Sequence, residues 1–536
     1  MATMHLTANS RPGESRQGQS NGLLVRLIVV GLGTLFLLVA YGPLLALMVM
    51  TLQRLLDGES AWWRLLLPEA RRMSLLLRSL AYAVSVSGTV TILGLLIASL
   101  LWGLRARPWA RGRWLVLVFA PIPPYIHALA WRIAFRQLAL RAFDASLTGS
   151  WWVQSMALLP LAVALALIGL ETVSREAIAA ACVQRRPARV LARVVLPLAL
   201  PVITVGAVLL FILTLLDYTV PSLYGVSVYP LEVFVEFSAT NEPVRAFLYA
   251  LPLLALAGAS VLLCRPGLRQ VLQRGAAPVR PDAILARLPV WLRMLQGGAV
   301  AVMALQITVP LAVLLTSVRP WQTALYVTAA ARGEIGHSVA IAAAAAGLAL
   351  LPAYGAARWL AGAKPARDLC WLAVVLPLAI PPPLIGIGLI AILNRDLPVD
   401  LYSTIWMPIL ASLARFAPLA TMIIAARLVR LDRALLEAAR ILERRRLVAF
   451  WRVDLPLIAP AVFAAAATVF VLSLGEVGAT LLVVPAGQTT LAIKVYNYLH
   501  YGASEAVAAL SLVGVLLCLM VGLLAASLLA RREGAR

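Results

Sequence analysis

Apolar runs of 18 or more residues recur along almost the whole chain, from Leu27 to Ala530. Each is long enough to cross about 30 Å of hydrocarbon as a helix. In lipid every backbone N–H and C=O must be satisfied within the chain, so runs of this length predict helices rather than open strands. Twelve spans fit the hydropathy. In the first half they fall near 27–51, 79–103, 114–135, 151–170, 201–225 and 247–264. In the second half they fall near 296–318, 338–360, 370–393, 404–428, 461–484 and 506–530. The expected fold is an all-α polytopic membrane protein. A hydrophobic share of 62% and a mean hydropathy of +0.91 agree with it.

The net charge of +23 invites a nucleic-acid reading, but its placement opposes one. Only two lysines occur, Lys364 and Lys494; the other cations are arginines gathered at the ends of apolar runs. With the N-terminus inside, 32 of the 46 basic residues fall on the cytoplasmic face and 13 on the other, with Arg415 inside a span. The positive-inside bias therefore predicts that both termini are cytoplasmic. Arg71, Arg72 and Arg78 run against this layout, because they precede the second span on the outer side. The polar segment 1–26 reads as a cytoplasmic tail, too polar for a signal peptide. Residues 265–295, with six arginines and four prolines, read as a cytoplasmic linker, and 531–536 as a second tail. The four cysteines are scattered, with no metal-ligand spacing and no disulfide framework.

The halves 27–264 and 296–530 repeat each other. Pro123 and Pro124 align with Pro381 and Pro382, and Pro160 with Pro418, at an offset of 258. Pro197, Pro201 and Phe211 align with Pro456, Pro460 and Phe470 at 259. Six spans per half is an even number, so the repeats point the same way across the membrane. Two parallel six-helix units with a pathway at their interface is the expected architecture.

Two charged islands also align. One runs from Ile178-Ala179-Ala180 to Leu196-Pro197, the other from Glu437-Ala438-Ala439 to Leu455-Pro456. In the second, Ala434, Leu435, Ala438, Ala439, Ile441 and Leu442 form a small and apolar stripe at helical spacing. Arg440 and Arg444 to Arg446 supply its polar side. A single such helix is an ordinary surface helix whose arginines reach the headgroups. Two copies at matching positions on one face read as docking helices for a partner groove.

On these residues the chain resembles the permease subunits of binding-protein-dependent ABC importers. Their hallmark loop reads Glu-Ala-Ala, three residues, Gly, nine residues, a hydrophobic residue, one residue, Leu-Pro. The second copy matches with Glu437, Ala438, Ala439, Val453, Leu455 and Pro456. The first matches with Ala179, Ala180, Val194, Leu196 and Pro197, with Glu176 standing two residues before Ile178. The glycine position holds Gln184 and Glu443 instead. The resemblance implies that both loops dock on ATP-hydrolysing subunits, two copies per chain. It also implies an external solute-binding protein, lipid as surroundings and a place in the bacterial inner membrane. The stretches Leu474 to Thr480, Pro485 to Ile493 and Leu216 to Pro221 are similar to fused permeases of the ferric-iron type, with the thiamine type close and polyamine permeases further off.

Asp217 and Glu476 lie 16 residues past Pro201 and Pro460, the prolines that close the two segments, which at about 1.5 Å per residue places both in the outer half of the bilayer. Such acids are costly unless they face a pore or a partner. They are candidates for the translocation path, or else helix-end carboxylates bonded to neighbouring backbone. Arg415 is expected to pair with a carboxylate or a helix-end carbonyl. His127 and His500 are single histidines, read as packed or interfacial rather than metal ligands. No Gly-x4-Gly-Lys-Ser/Thr loop is present, so ATP hydrolysis is expected on partner chains, with no catalytic role, cofactor or metal here. A secondary transporter with six plus six spans would share the repeat but would not explain the paired loops. A membrane enzyme acting on lipid-linked substrates would need catalytic acids in long outer loops.

Overall fold

The computed structural model describes residues 12–57, 65, 69–103, 122–184, 187–264, 267, 289–362, 367–395, 400–431, 434, 443, 446–501 and 504–534. Among the described residues every regular element is a helix. The first half holds α1 (Pro12–Leu56), α2 (Ala70–Gly103), α3 (Pro124–Gln137), α4 (Leu147–Glu171) and α5 (Arg175–Gln184). After these come α6 (Leu196–Leu215), α7 (Thr219–Leu223), α8 (Tyr229–Thr240) and α9 (Pro243–Leu263). The second half holds α10 (Val290–Ser317), α11 (Trp321–Ala330), α12 (Arg332–Gly362), α13 (Arg367–Val375), α14 (Pro382–Leu393) and α15 (Trp406–Leu428). It closes with α16 (Leu455–Leu474), α17 (Thr480–Val483), α18 (Leu491–Tyr501) and α19 (Ser504–Gly534).

Ten of the described helices are long and apolar enough to cross a membrane, and an eleventh crossing is a bent pair, 369–379 with 382–393. The expected straight span at 370–393 is thus broken, by 94°. The reason is the Pro381-Pro382-Pro383 run: Pro381 takes ψ 134°, an extended geometry, and α14 starts afresh after it. Pro123 does the same before α3, with ψ 140°. Other boundaries move, and the span expected at 79–103 starts at Ala70. The spans expected at 201–225 and 461–484 run instead over Ala188–Leu216 and Phe450–Leu474. Leu196-Pro197 and Leu455-Pro456 do not start these spans. Each sits directly after a π-helical turn, Leu191–Val195 or Phe450–Asp454, inside a continuing helix. The wider turn leaves fewer backbone N–H groups committed to i−4 partners just where proline supplies none.

The repeat is visible element by element. The π turns and the helices α6 and α16 superpose on the chain at an offset of 259, and α3 and α14 start 258 apart. Pro160 and Pro418 lie inside α4 and α15. The repeats are also interleaved in space. The first helix of each half also packs across the halves: α1 packs on α12, α14 and α15, while α10 packs on α2, α3 and α4. Glycines allow the close approach of α1. A Cβ at Gly355 of α12 would come within 2.6 Å of the Gly33 nitrogen, and one at Gly388 of α14 would overlap the Pro43 carbonyl. Small residues at such crossings let backbones meet where no hydrophobic drive separates helix from lipid.

Candidate functional site

The first island folds as expected for a surface helix. Ser174 Oγ accepts the Ala177 N–H at 3.3 Å and caps α5. Glu176 stands in the first turn, where the helix dipole favours a carboxylate. Ile178 is buried and fixes the helix to the bundle, whereas Glu176, Ala179, Ala180 and Val183 face outward. Val190, Leu191 and Val195 anchor the following turns in the same core. Leu196 is half-buried and Pro197 exposed; in the second copy Leu455 and Pro456 repeat that pattern. Glu437, Ala438 and Ala439 lie outside the described residues. The first copy therefore presents a small-residue face with an acid at one end, held on a buried stem.

At the other end of α6 and α16 the two acids are handled differently. Both cap the turn that follows them. Asp217 Oδ1 accepts the Thr219 N–H at 2.9 Å and the Thr219 hydroxyl at 2.5 Å. Glu476 Oε1 accepts the Ala479 N–H at 2.6 Å. Glu476 is buried, and its other oxygen is paired with the Arg415 guanidinium from α15. Thus the intramembrane arginine finds a carboxylate, one of the two kinds of partner its sequence position allowed. One turn earlier on α15, Ser412 accepts a hydrogen bond from the Ser473 hydroxyl of α16 at 2.9 Å.

The loops holding these acids meet at the seam between repeats. The Tyr218 hydroxyl donates to the Gly478 carbonyl at 3.0 Å, and Ser222 and Tyr496 hydroxyls lie 3.0 Å apart. A Cβ at Gly475 would come within 2.8 Å of Pro123 Cγ, and one at Gly478 within 3.0 Å of Pro382 Cβ. So the two acidic loops and the two proline turns converge on one place. Tyr218, its stacking partner Phe234, and Gly475 were not singled out from the sequence. The repeat offset would have pointed to Gly475, which replaces Leu216 where the other unit's Pro123 presses.

Near the opposite helix ends from the α5 island, each repeat carries the same clamp. The Tyr229 N–H donates to Ser79 Oγ at 2.8 Å, and the Leu491 N–H to Ser338 Oγ at 2.7 Å. Beside it Arg71 pairs with Glu232 at 2.6 Å in the first unit, and Lys494 with Glu334 at 2.5 Å in the second. The signs are swapped between repeats. Arg72 is buried, its guanidinium 4.2 Å from the Tyr249 ring centre. Arg71 and Arg72 thus have tertiary partners, which accounts for two of the three arginines that ran against the charge bias. His127 is wholly buried, with Nε2 3.3 Å from the Gln306 amide of α10, as a packed histidine rather than an interfacial one. No group of three His, Cys, Asp or Glu among the described residues is placed to hold a metal.

Comparison with known proteins bears on the second half. Residues 353–534 match the family described as the binding-protein-dependent transport system inner membrane component. Over this stretch, about a third of the chain, the sequence is similar to that family. The matched stretch contains Arg415, Glu476, the second island and the Leu455-Pro456 turn. Similar proteins include those provisionally named 2-aminoethylphosphonate transport system permease protein PhnV. The one from Salmonella typhimurium strain LT2 is 29% identical over 153 residues, 28% of this chain and 57% of that protein. The one from Salmonella typhi is 28% identical over 28% of this chain and 58% of its own length. The chain spans somewhat over half the length of these relatives.

Proposed function

We propose that this chain is the membrane-spanning subunit of a binding-protein-dependent ABC importer and supplies both halves of its pathway. The observation that carries the reading is the duplicated frame: one helical permease repeat twice, each with a stem–π turn–Leu-Pro segment at the same place. Two copies of a separate ATPase dock on α5 and on the segment holding Glu437, Ala438 and Ala439. Both docking segments and both termini lie on the cytoplasmic face of a bacterial inner membrane. Closure of the ATPase pair moves the two levers together, rocks one interleaved unit against the other, and opens the seam at Tyr218 and Gly478 toward the outside. A solute-binding protein delivers the solute to that seam. The chain itself hydrolyses nothing.

The substrate is a small solute chosen by the binding protein. The resemblance of the loop sequences favours ferric iron, with thiamine or polyamine as neighbours, while the relatives' names favour 2-aminoethylphosphonate. Competition of each against uptake in cells carrying the full transporter separates them: only the cognate solute abolishes uptake at low concentration.

The docking assignment is tested by replacing Ala179 and Ala180, and Ala438 and Ala439, with tryptophan. Co-purification with the cognate ATPase falls at least tenfold when both segments are altered, while the purified chain keeps its melting temperature. Undiminished ATPase binding in the fourfold variant overturns the assignment.

A further inference from the structure

The two repeats share one frame but fill it differently around the acid that follows α6 and α16. In the second unit Glu476, Arg415 and Ser412 form a closed set: the carboxylate holds the guanidinium, and Ser412 is bonded to Ser473. The offsets of 258 and 259 carry these positions to Asp217, Ala157 and Gln154. There the acid is kept and the cation is gone: a methyl group stands where the second unit has its arginine. Gln154 is 2% exposed, one turn from Ala157 on the same face of α4.

The consequence is a pair of acceptors with nothing to accept. Among the described residues, Asp217 Oδ2 and Gln154 Oε1 are both covered and have no hydrogen-bond partner, and no Lys, Arg or His pairs with Asp217. The phenols within electrostatic reach of Asp217 are those of Tyr82, Tyr218 and Tyr496. Each is engaged elsewhere: Tyr82 with Ser150, Tyr218 with Gly478, and Tyr496 with Ser222. A covered carboxylate oxygen without a partner is unfavourable.

We propose that Asp217 and Gln154 form a subsite for the cationic nitrogen of a ligand, which takes the place that Arg415 fills internally in the other repeat. The ligand class is a primary ammonium. It carries one charge and three N–H donors, suited to a carboxylate and an amide carbonyl. A bare metal ion would require six or more oxygen ligands or a cluster of acids, which this place does not offer. The proposal rests on the reading of the seam as part of the solute path; the binding chemistry itself requires no ATPase.

The test is calorimetric titration of the purified full-length chain with ethylammonium chloride. Sodium chloride and tetramethylammonium chloride, which carries charge but no N–H, are titrated at equal ionic strength. The wild type saturates with ethylammonium alone. Asp217→Asn keeps the cap on Thr219 and loses at least tenfold in affinity. Ala157→Arg installs the internal cation and abolishes saturation. Gln154→Leu weakens binding several-fold, and it decides together with Asp217→Asn if Ala157→Arg does not fold. The proposal is overturned if the wild type does not saturate, if Asp217→Asn titrates like the wild type, or if tetramethylammonium or sodium competes equally. Because neither ATPase nor binding protein is present, a negative result leaves the importer reading intact. Failure of the docking test leaves this result standing.

Discussion

Arg415 and Glu476 each require the other. A buried ion pair adds little over apolar packing, but removing one partner strands a charge, at a cost of about 3–5 kcal/mol. Glu476→Met and Arg415→Met alone should therefore lower the melting temperature markedly, and the double substitution should recover most of the loss. Equal damage from the single and double variants, read by thermal unfolding in detergent, would speak against the pairing. Tyr218→Phe removes one neutral hydrogen bond to Gly478, worth about 1 kcal/mol. Its effect belongs to the seam: uptake should change more than stability. The carboxylates and the arginine stood out in the sequence because intramembrane charge is rare. Which partner Arg415 takes did not, since any helix-end acid at similar depth satisfied the same rule.

Among the elements, the crossing of α1 over α12 and α14 is the most demanding. It depends on Gly355 and Gly388, whose missing side chains let backbone meet backbone, and on Gly33, whose missing side chain makes room for the Trp359 indole. Gly355→Leu should destabilise strongly or block assembly, whereas Gly347→Leu, on the same helix with open space around it, should be tolerated. Comparable melting temperatures for the two would contradict this crossing. The sign-reversed clamps make a second element-scale prediction. Arg71 is largely exposed, so breaking its pair with Glu232 costs only about 0–1 kcal/mol. Arg71→Glu together with Glu232→Lys should restore the wild-type melting temperature. The broken helix at 369–393 was half legible: its three prolines announced an interruption, but hydropathy averages across a bend and reads one straight span. The shifted starts of Ala188–Leu216 and Phe450–Leu474 have a related cause, because arginines at the membrane edge hide a helix that continues through them.

For the whole molecule, orientation is open to a direct measurement. Cys182 on α5 is exposed, whereas Cys264 and Cys518 are buried. A membrane-impermeant maleimide should label Cys182 in inside-out vesicles and not in right-side-out ones. Labelling from the outside would reverse the proposed topology and with it the ATPase docking.

Hydropathy, charge bias and the repeated proline ladder determined from the chain alone that it is helical and polytopic, and that it is built twice on one plan. These signals are local: span length, loop charge and fixed offset need no partner to be read. Only the tertiary structure decided that α1 and α10 pack across the halves, that Glu476 takes a cationic partner while none among the described residues pairs with Asp217, and that the acidic loops meet the proline turns. In a bilayer the lipid-facing and the buried sides of a helix are both apolar, so the periodicity that tells a soluble helix where its core lies is largely erased. Which helix a given face meets is then set by shape, by glycine notches and by a few buried polar pairs, and those become visible only once the chain is folded.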